Sequence, residues 1–148
     1  MAKLTIGCFS SLVGSMSLDF AVKLAEAAVE KAREQIATLL GAQAKDIVFT
    51  SGATESNNMV IKGIAKAAGK GKHFITTQIE HPAVLEPCRH IDRFGYRLTY
   101  LPVDRHGVVD LVELERAIEP RTILVSVMAA NNEVGTIQPI SEIARLTR

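Results

Sequence analysis

Short runs of β-branched and aromatic residues alternate along this chain with segments whose apolar residues recur every three or four positions. That alternation constrains the fold more than any other feature. Ile47–Phe49, His73–Thr77, Tyr96–Val103 and Arg121–Met128 read as strands. Helical patterns fill the gaps: residues 55–68, Pro82 to Gly95, Asp110 to the position before Pro120, and Ser141 onward. Strands joined through helices must run the same way, so the pattern predicts a three-layer α/β/α fold with a mostly parallel sheet. Arg121–Met128 is apolar on both faces and reads as the central strand.

A longer helix precedes these elements. From Asp19 to Leu40 the positions Val22, Ala25, Val29, Ala32, Ile36 and Leu39 form one apolar stripe, with Ser17 or Asp19 as cap and Gly41 as stop. In the next helix Met59, Ile61, Ile64, Ala65 and Ala68 are the expected buried face. In the one after, opened by Glu80, His81 and Pro82, the buried face is Val84, Leu85, Cys88, Ile91 and Phe94. Asp104 to Gly107 is turn chemistry, and Asp110 with Glu113 opens a further helix. Residues 1–18, broken by Gly7, Gly14 and several serines, receive no regular structure, which leaves one α/β domain over 19–148.

Composition excludes several classes. A net charge of +1 gives no field for nucleic acid, and no apolar run is long enough to span a membrane. Met1 to Gly14 carries one Lys and a broken apolar run, which is not a signal-peptide pattern. Two cysteines, Cys8 and Cys88, make no disulfide framework and fit a reducing, cytoplasmic setting. Cys88 sits on an apolar helix face as a structural thiol, and the spacing of His81, Cys88 and His90 matches no metal-ligand pattern, so no metal is expected.

In parallel α/β sheets, ligands gather at the carboxyl ends of the strands. Three polar clusters fall there: Ser51 to Thr54, Glu80 with His81, and Asn131 with Asn132 and Glu133. The first is a strand-to-helix turn, whose free N–H groups and helix dipole suit an anion such as phosphate. Gly52 permits close approach, and the hydroxyls of Ser51 and Thr54 are candidate donors. The turn has neither the Gly-Lys-Ser/Thr ending of a P-loop nor the spaced glycines of a dinucleotide fold. From the residues alone, His81 serves equally as a helix cap, and Asn131 and Asn132 as loop residues that satisfy backbone groups.

The segments Phe49 to Asn58, Glu80 to Val84 and Ala130 to Gly135, in this order and spacing, resemble the cysteine desulfurases. These are pyridoxal phosphate (PLP) enzymes of the class V aminotransferase group, with selenocysteine lyases as close relatives. The resemblance runs from about Leu24 to Arg148 and implies part of a fold type I large domain. It implies that Ala53 and Thr54 hold the PLP phosphate, that His81 stacks on the pyridine ring and exchanges protons with substrate, and that Asn132 reaches the cofactor and the substrate carboxylate. L-cysteine is then the family's substrate and a persulfide its sulfur carrier, for iron–sulfur cluster assembly. A homodimer or a complementing fragment, and sulfur-acceptor proteins, are the implied partners.

The family's Ser-x-His-Lys segment, with its Schiff-base lysine, does not occur in these 148 residues, nor does an Asn-Ala-Thr-Thr segment. Lys62, Lys66, Lys70 and Lys72 lie on a helix face or in a Gly-Lys linker and have no context to replace that lysine. The expectation is a partial cysteine desulfurase that does not desulfurate cysteine by itself, with the strand at 122–128 left as an open apolar sheet edge. Two other readings stay open: a non-catalytic interaction or dimerisation module, and a domain that holds PLP or another phosphate ligand non-covalently.

Overall fold

Strand β1 (His73–Thr77) organises the structure, a computed structural model that describes residues 18–148. All five of its residues are buried, and it pairs in parallel with β2 (Arg97–Leu101) on one side and β3 (Thr122–Ser126) on the other. Successive residues of a strand point to opposite faces. Phe74 accordingly packs with Ile61 and Ala65 of α2 (Ala53–Ala68) and with Val84, Cys88 and Ile91 of α3 (Pro82–Asp92). Ile75 packs on the other face with Leu114 of α4 (Leu111–Ala117) and Ile143 of α5 (Ile140–Leu146). The three-layer α/β/α arrangement with a parallel sheet is thus present.

The centre of the sheet is β1, and β3 is an edge strand whose residues are all half-buried: this agrees with the open apolar edge expected there, while the central place read from its apolar run is not found among the described strands. The reason lies in the helices. Ile123 and Leu124 pack against one core cluster and Val125 against the other, so helices on both faces impose an apolar run whether the strand is central or lateral.

Contacts divide the described chain at Phe49/Thr50. The first unit holds α1 (Leu18–Leu40), a short 3₁₀ turn (Ala44–Asp46) and the segment up to Phe49. The predicted stripe of α1 is not a buried one: Val29 is 40% and Leu39 84% exposed, and among the helix's described side chains only Ala37 is buried. The returning segment is too short to cover more than the last turns of the helix. Ile47 is extended, but Ile47–Phe49 forms no strand. Arg33 donates to the Ile47 carbonyl and lies 4.9 Å from the Phe49 ring centroid, which secures the segment to α1.

In the second unit, Met59 is 45% and Phe94 54% exposed, against expectation. Met59 is two positions from Ile61, about 200° around the helix, and so faces away from the core. Phe94 follows the end of α3 and rests on the His90 ring instead, 4.9 Å between centroids. The Asp104 turn forms as expected: Asp104 Oδ1 accepts from the N–H of His106 (2.8 Å) and of Val108 (2.9 Å). Asp110 caps α4 by accepting from Val112 N–H at 2.8 Å. The readings made for residues 1–17 lie outside the described residues.

At the amino end of the sheet, His73 is 2% exposed and spans all three strands. Its Nδ1 lies 2.8 Å from Thr122 Oγ1 on β3 and its Nε2 2.8 Å from Thr99 Oγ1 on β2. Burial holds the imidazole pKa below its ordinary value, and Arg97 adds to that while Glu119 opposes it.

Candidate functional site

The carboxyl ends of β1 and β3 open into two loops, residues 78–81 and 127–135, and α2 presents its N-terminus at the start of the same unit. His81 closes the first loop as N-cap of α3: its Nδ1 accepts from Ala83 N–H at 3.0 Å, and Pro82 at the first helical position brings no N–H of its own. An accepting Nδ1 places the proton of the neutral ring on Nε2. The capping role is therefore realised, and it leaves the ring exposed and Nε2 without a hydrogen bond among the described residues.

Asn131 and Asn132, adjacent in sequence, are used differently. Asn131 is 8% exposed; its amide donates to the Ile79 carbonyl (3.0 Å) while Oδ1 accepts from Glu133 and Val134 N–H (2.9 Å each). Asn132 is exposed and its side chain makes no hydrogen bond among the described residues. Glu80 is likewise buried, and its Oε1 accepts from Thr77 Oγ1 at 3.2 Å and from Met128 N–H at 2.7 Å. Burial raises its carboxyl pKa, against the pull of those two hydrogen bonds. Cys88 below is buried and its thiol is pushed up to about 11, mainly by burial, which leaves it a core thiol and not a nucleophile.

At the Ser51–Thr54 cluster, Gly52 is the N-cap of α2 and supplies no side-chain hydrogen bond, so the first N–H groups of the helix, at Ala53 and Thr54, have no partner among the described residues. A Cβ at Gly52 would meet nothing within 4 Å, which leaves open space before those groups. Ser51 is not the free donor expected: its N–H and hydroxyl both go to Glu55 Oε2, at 2.6 Å each. Those bonds hold the Glu55 carboxyl below its ordinary pKa. Thr54 remains exposed, with its hydroxyl unengaged among the described residues.

Two clefts meet at His81. One of about 540 Å³ is lined by Thr54, Asn58, Lys62, His81, Arg89 and Arg93, among others. A second of about 350 Å³ is lined by Gln78, Glu80, His81, Asn131, Asn132 and Glu133, among others. Thr54 and Asn132 thus lie on either side of one histidine. Lys62 lines the larger cleft two helical turns along α2 from Thr54, about 12 Å away by helix rise. The reading of Asn131 as a loop residue that satisfies backbone groups agrees with the structure, whereas Glu80 had no individual role in the sequence and the Arg89–Arg93 rim no signal. A buried polar residue beside an exposed one reads the same in sequence.

Residues 9–148 match the family described as aminotransferase class-V. The chain belongs to that family. The match begins ahead of Leu24, where the motif resemblance starts. Cysteine desulfurase IscS of Dictyoglomus turgidum (strain DSM 6724 / Z-1310) is 55% identical over 122 residues, which are 82% of this chain and 31% of that relative. Among solved structures, a NifS-like protein superposes with a TM-score of 0.80 at 48% identity, over 86% of this chain and 35% of that one. The structure of SspA in complex with cysteine gives a TM-score of 0.79 at 42% identity, over 90% of this chain and 38% of that one. The chain therefore spans about a third of the length of these relatives. It is a partial PLP-dependent transferase domain of fold type I, and PLP is the cofactor of its family.

The residues present fit that cofactor in part. An uncapped helix N-terminus with open space before Gly52, an exposed hydroxyl at Thr54, an exposed imidazole and an unengaged carboxamide match a phosphate, a ring face and a polar ring substituent. Among the described residues no helix is long and apolar enough to cross a membrane.

Proposed function

We propose that these residues form the phosphate-and-ring half of a cysteine desulfurase site, which acts on L-cysteine in the whole protein. The observation that carries this reading is the meeting of the two clefts at His81, with Thr54 on one and Asn132 on the other. The N–H groups of Ala53 and Thr54 and the Thr54 hydroxyl hold the phosphate. The dipole of the 16-residue α2 helix favours its charge. His81, fixed at Nδ1 by its own helix, offers a ring face for stacking and an Nε2 proton that can pass to or from substrate. Asn132 donates to the cofactor oxygen and the substrate carboxylate. PLP supplies an electron sink for bonds to the substrate's α-carbon.

The 148 residues hold no Ser-x-His-Lys segment, so this reading gives them binding and positioning, without covalent attachment or sulfur transfer. Homodimerisation or pairing with a complementing chain, delivery to sulfur-acceptor proteins for iron–sulfur assembly, and a cytoplasmic location belong to the same proposal. The exposed apolar stripe of α1 favours the pairing, since exposed patches of this kind mark association surfaces.

The test is a titration of the chain with PLP, followed by absorbance and by displacement with inorganic phosphate. Saturable binding is expected. Thr54→Ala and His81→Ala are each expected to weaken it about tenfold, the size of one charge-assisted hydrogen bond or one stacked ring. Equal affinity in all three proteins, or none in the first, rejects the assignment.

A further inference from the structure

His81 and Asn132 ride on two separate loops, and neither side chain ties one loop to the other. Their neighbours do. Backbone pairing of β1 with β3 stops at Thr76 and Ser126. Beyond that point the Glu80 carboxylate takes the Met128 N–H at 2.7 Å, so a side chain continues the connection where the ladder has ended. Farther out, Asn131 uses both ends of its carboxamide. Oδ1 closes the turn that contains Asn132, through Glu133 and Val134 N–H, and Nδ2 crosses to the Ile79 carbonyl. Glu80 and Asn131 are 7% and 8% exposed, so both ties are shielded from water.

We infer that Glu80 and Asn131 are positioning residues, two buried cross-loop ties that fix the spacing between His81 and Asn132. This rests on the reading of the site given above. A carboxylate at position 80 is costly to bury. One of its two hydrogen bonds comes from Thr77 on its own strand, and the other reaches across to the Met128 N–H of the second loop, which the first loop also holds through the Ile79 carbonyl. Asn131 is specific in the same way. An aspartate would satisfy Glu133 and Val134 but would set an oxygen against the Ile79 carbonyl, so only the carboxamide serves both the turn and the crossing.

The two ties and the phosphate end of the site are therefore separable. Loosening the ties moves His81 and Asn132 apart but leaves the N-terminus of α2, with Ala53 and Thr54, as it is. The experiment measures the affinity of the 148-residue chain for PLP and, by phosphorus NMR, for inorganic phosphate, together with exchange of the Met128 amide. Asn131→Asp and Glu80→Ala are expected to weaken PLP about tenfold, the effect of one lost tie, with phosphate affinity within about twofold. Glu80→Gln keeps an acceptor for Met128 N–H and is expected to restore most of the PLP affinity. Where Glu80→Ala unfolds, Asn131→Asp and Glu80→Gln decide.

Parallel loss of both affinities would show a purely structural role and overturn the inference. So would unchanged PLP affinity in a variant whose Met128 amide exchanges faster. If the unaltered chain binds phosphate but not PLP, the ring-side reading fails and the inference falls with it; if it binds neither, the whole site reading fails first.

Discussion

The two ends of the sheet are both closed by buried polar side chains, yet they are built for different ends. At the amino end, His73 reaches sideways from the central strand to a threonine on each neighbour, and Thr122 in turn accepts from Glu119 N–H at 2.9 Å. Both ring nitrogens are engaged, and the three strands are locked directly. At the carboxyl end, Glu80 and Asn131 tie loops and not strands, while His81, Asn132 and Thr54 beside them stay exposed. One end spends its polar groups on cohesion. The other uses buried groups to present exposed ones, which is how a rigid scaffold carries a binding site on its loops.

The sharpest way to break this comparison is to remove His73. His73→Ala deletes a buried ring and strips Thr99 and Thr122 of a partner, and is expected to cost about 3 kcal/mol. A loss of that size is large beside the roughly 5–15 kcal/mol of a typical domain. The urea midpoint should fall, while PLP affinity of the remaining folded protein stays within about twofold. If affinity dropped as much as for Asn131→Asp, the two ends would be coupled and the contrast would be wrong.

Glu80→Ala sharpens the comparison from the opposite end. It leaves the Met128 N–H without a buried acceptor but also relieves a buried carboxylate, so a stability change of only about 1 kcal/mol is expected. Its larger effect falls on PLP affinity, the reverse of His73→Ala. Urea denaturation and PLP titration of both variants give a two-by-two outcome, and a larger stability loss for Glu80→Ala than for His73→Ala would reverse the roles assigned here.

The contrast also explains what could be read from the sequence. Alternation of β-branched runs and helical periods was enough for the layers, and Asp110, Pro82 and Asp104 mark local structure through chemistry that acts within a few residues. Strand order was not legible, because Val125 and Leu124 are apolar for helices on both faces and carry no signal of a lateral neighbour. Nor was the fate of Ile47–Phe49, which depends on Arg33, fourteen residues before Ile47. At the site, the residue types were legible and their division of labour was not. Asn131 and Asn132 are identical in chemistry, and only the fold decides that one is buried against Ile79 and the other left free. His73 drew no attention for a related reason: a histidine opening a short strand becomes a three-strand staple only when Thr99 and Thr122 arrive beside it.

The smallest expected effect is in pH dependence, where the two ends act with opposite sign. His73 has a folded pKa below the ordinary 6.5, chiefly through burial, so the unfolded chain takes up its proton first. Its contribution is complete above that ordinary value and is lost as pH falls through the folded pKa. Glu80 has a folded pKa above the ordinary 4.5, again through burial, so the folded chain protonates first. Its ionisation penalty is absent below 4.5 and develops as pH rises through the folded pKa. From about pH 7.5 down to about pH 4.5, His73 should therefore lower stability on acidification while Glu80 acts with the opposite sign. The Glu119 carboxylate, 3.7 Å from His73 Nδ1 and paired with Arg97 at 2.7 Å, moderates the His73 effect without reversing it. Urea midpoints across that range should fall toward acid for the unaltered chain. They should fall less for His73→Gln, which keeps hydrogen-bonding groups near both threonines but cannot titrate, and more for Glu80→Gln. A slope unchanged by His73→Gln would place the acid sensitivity elsewhere and remove the amino-end staple as the chain's pH-sensitive element.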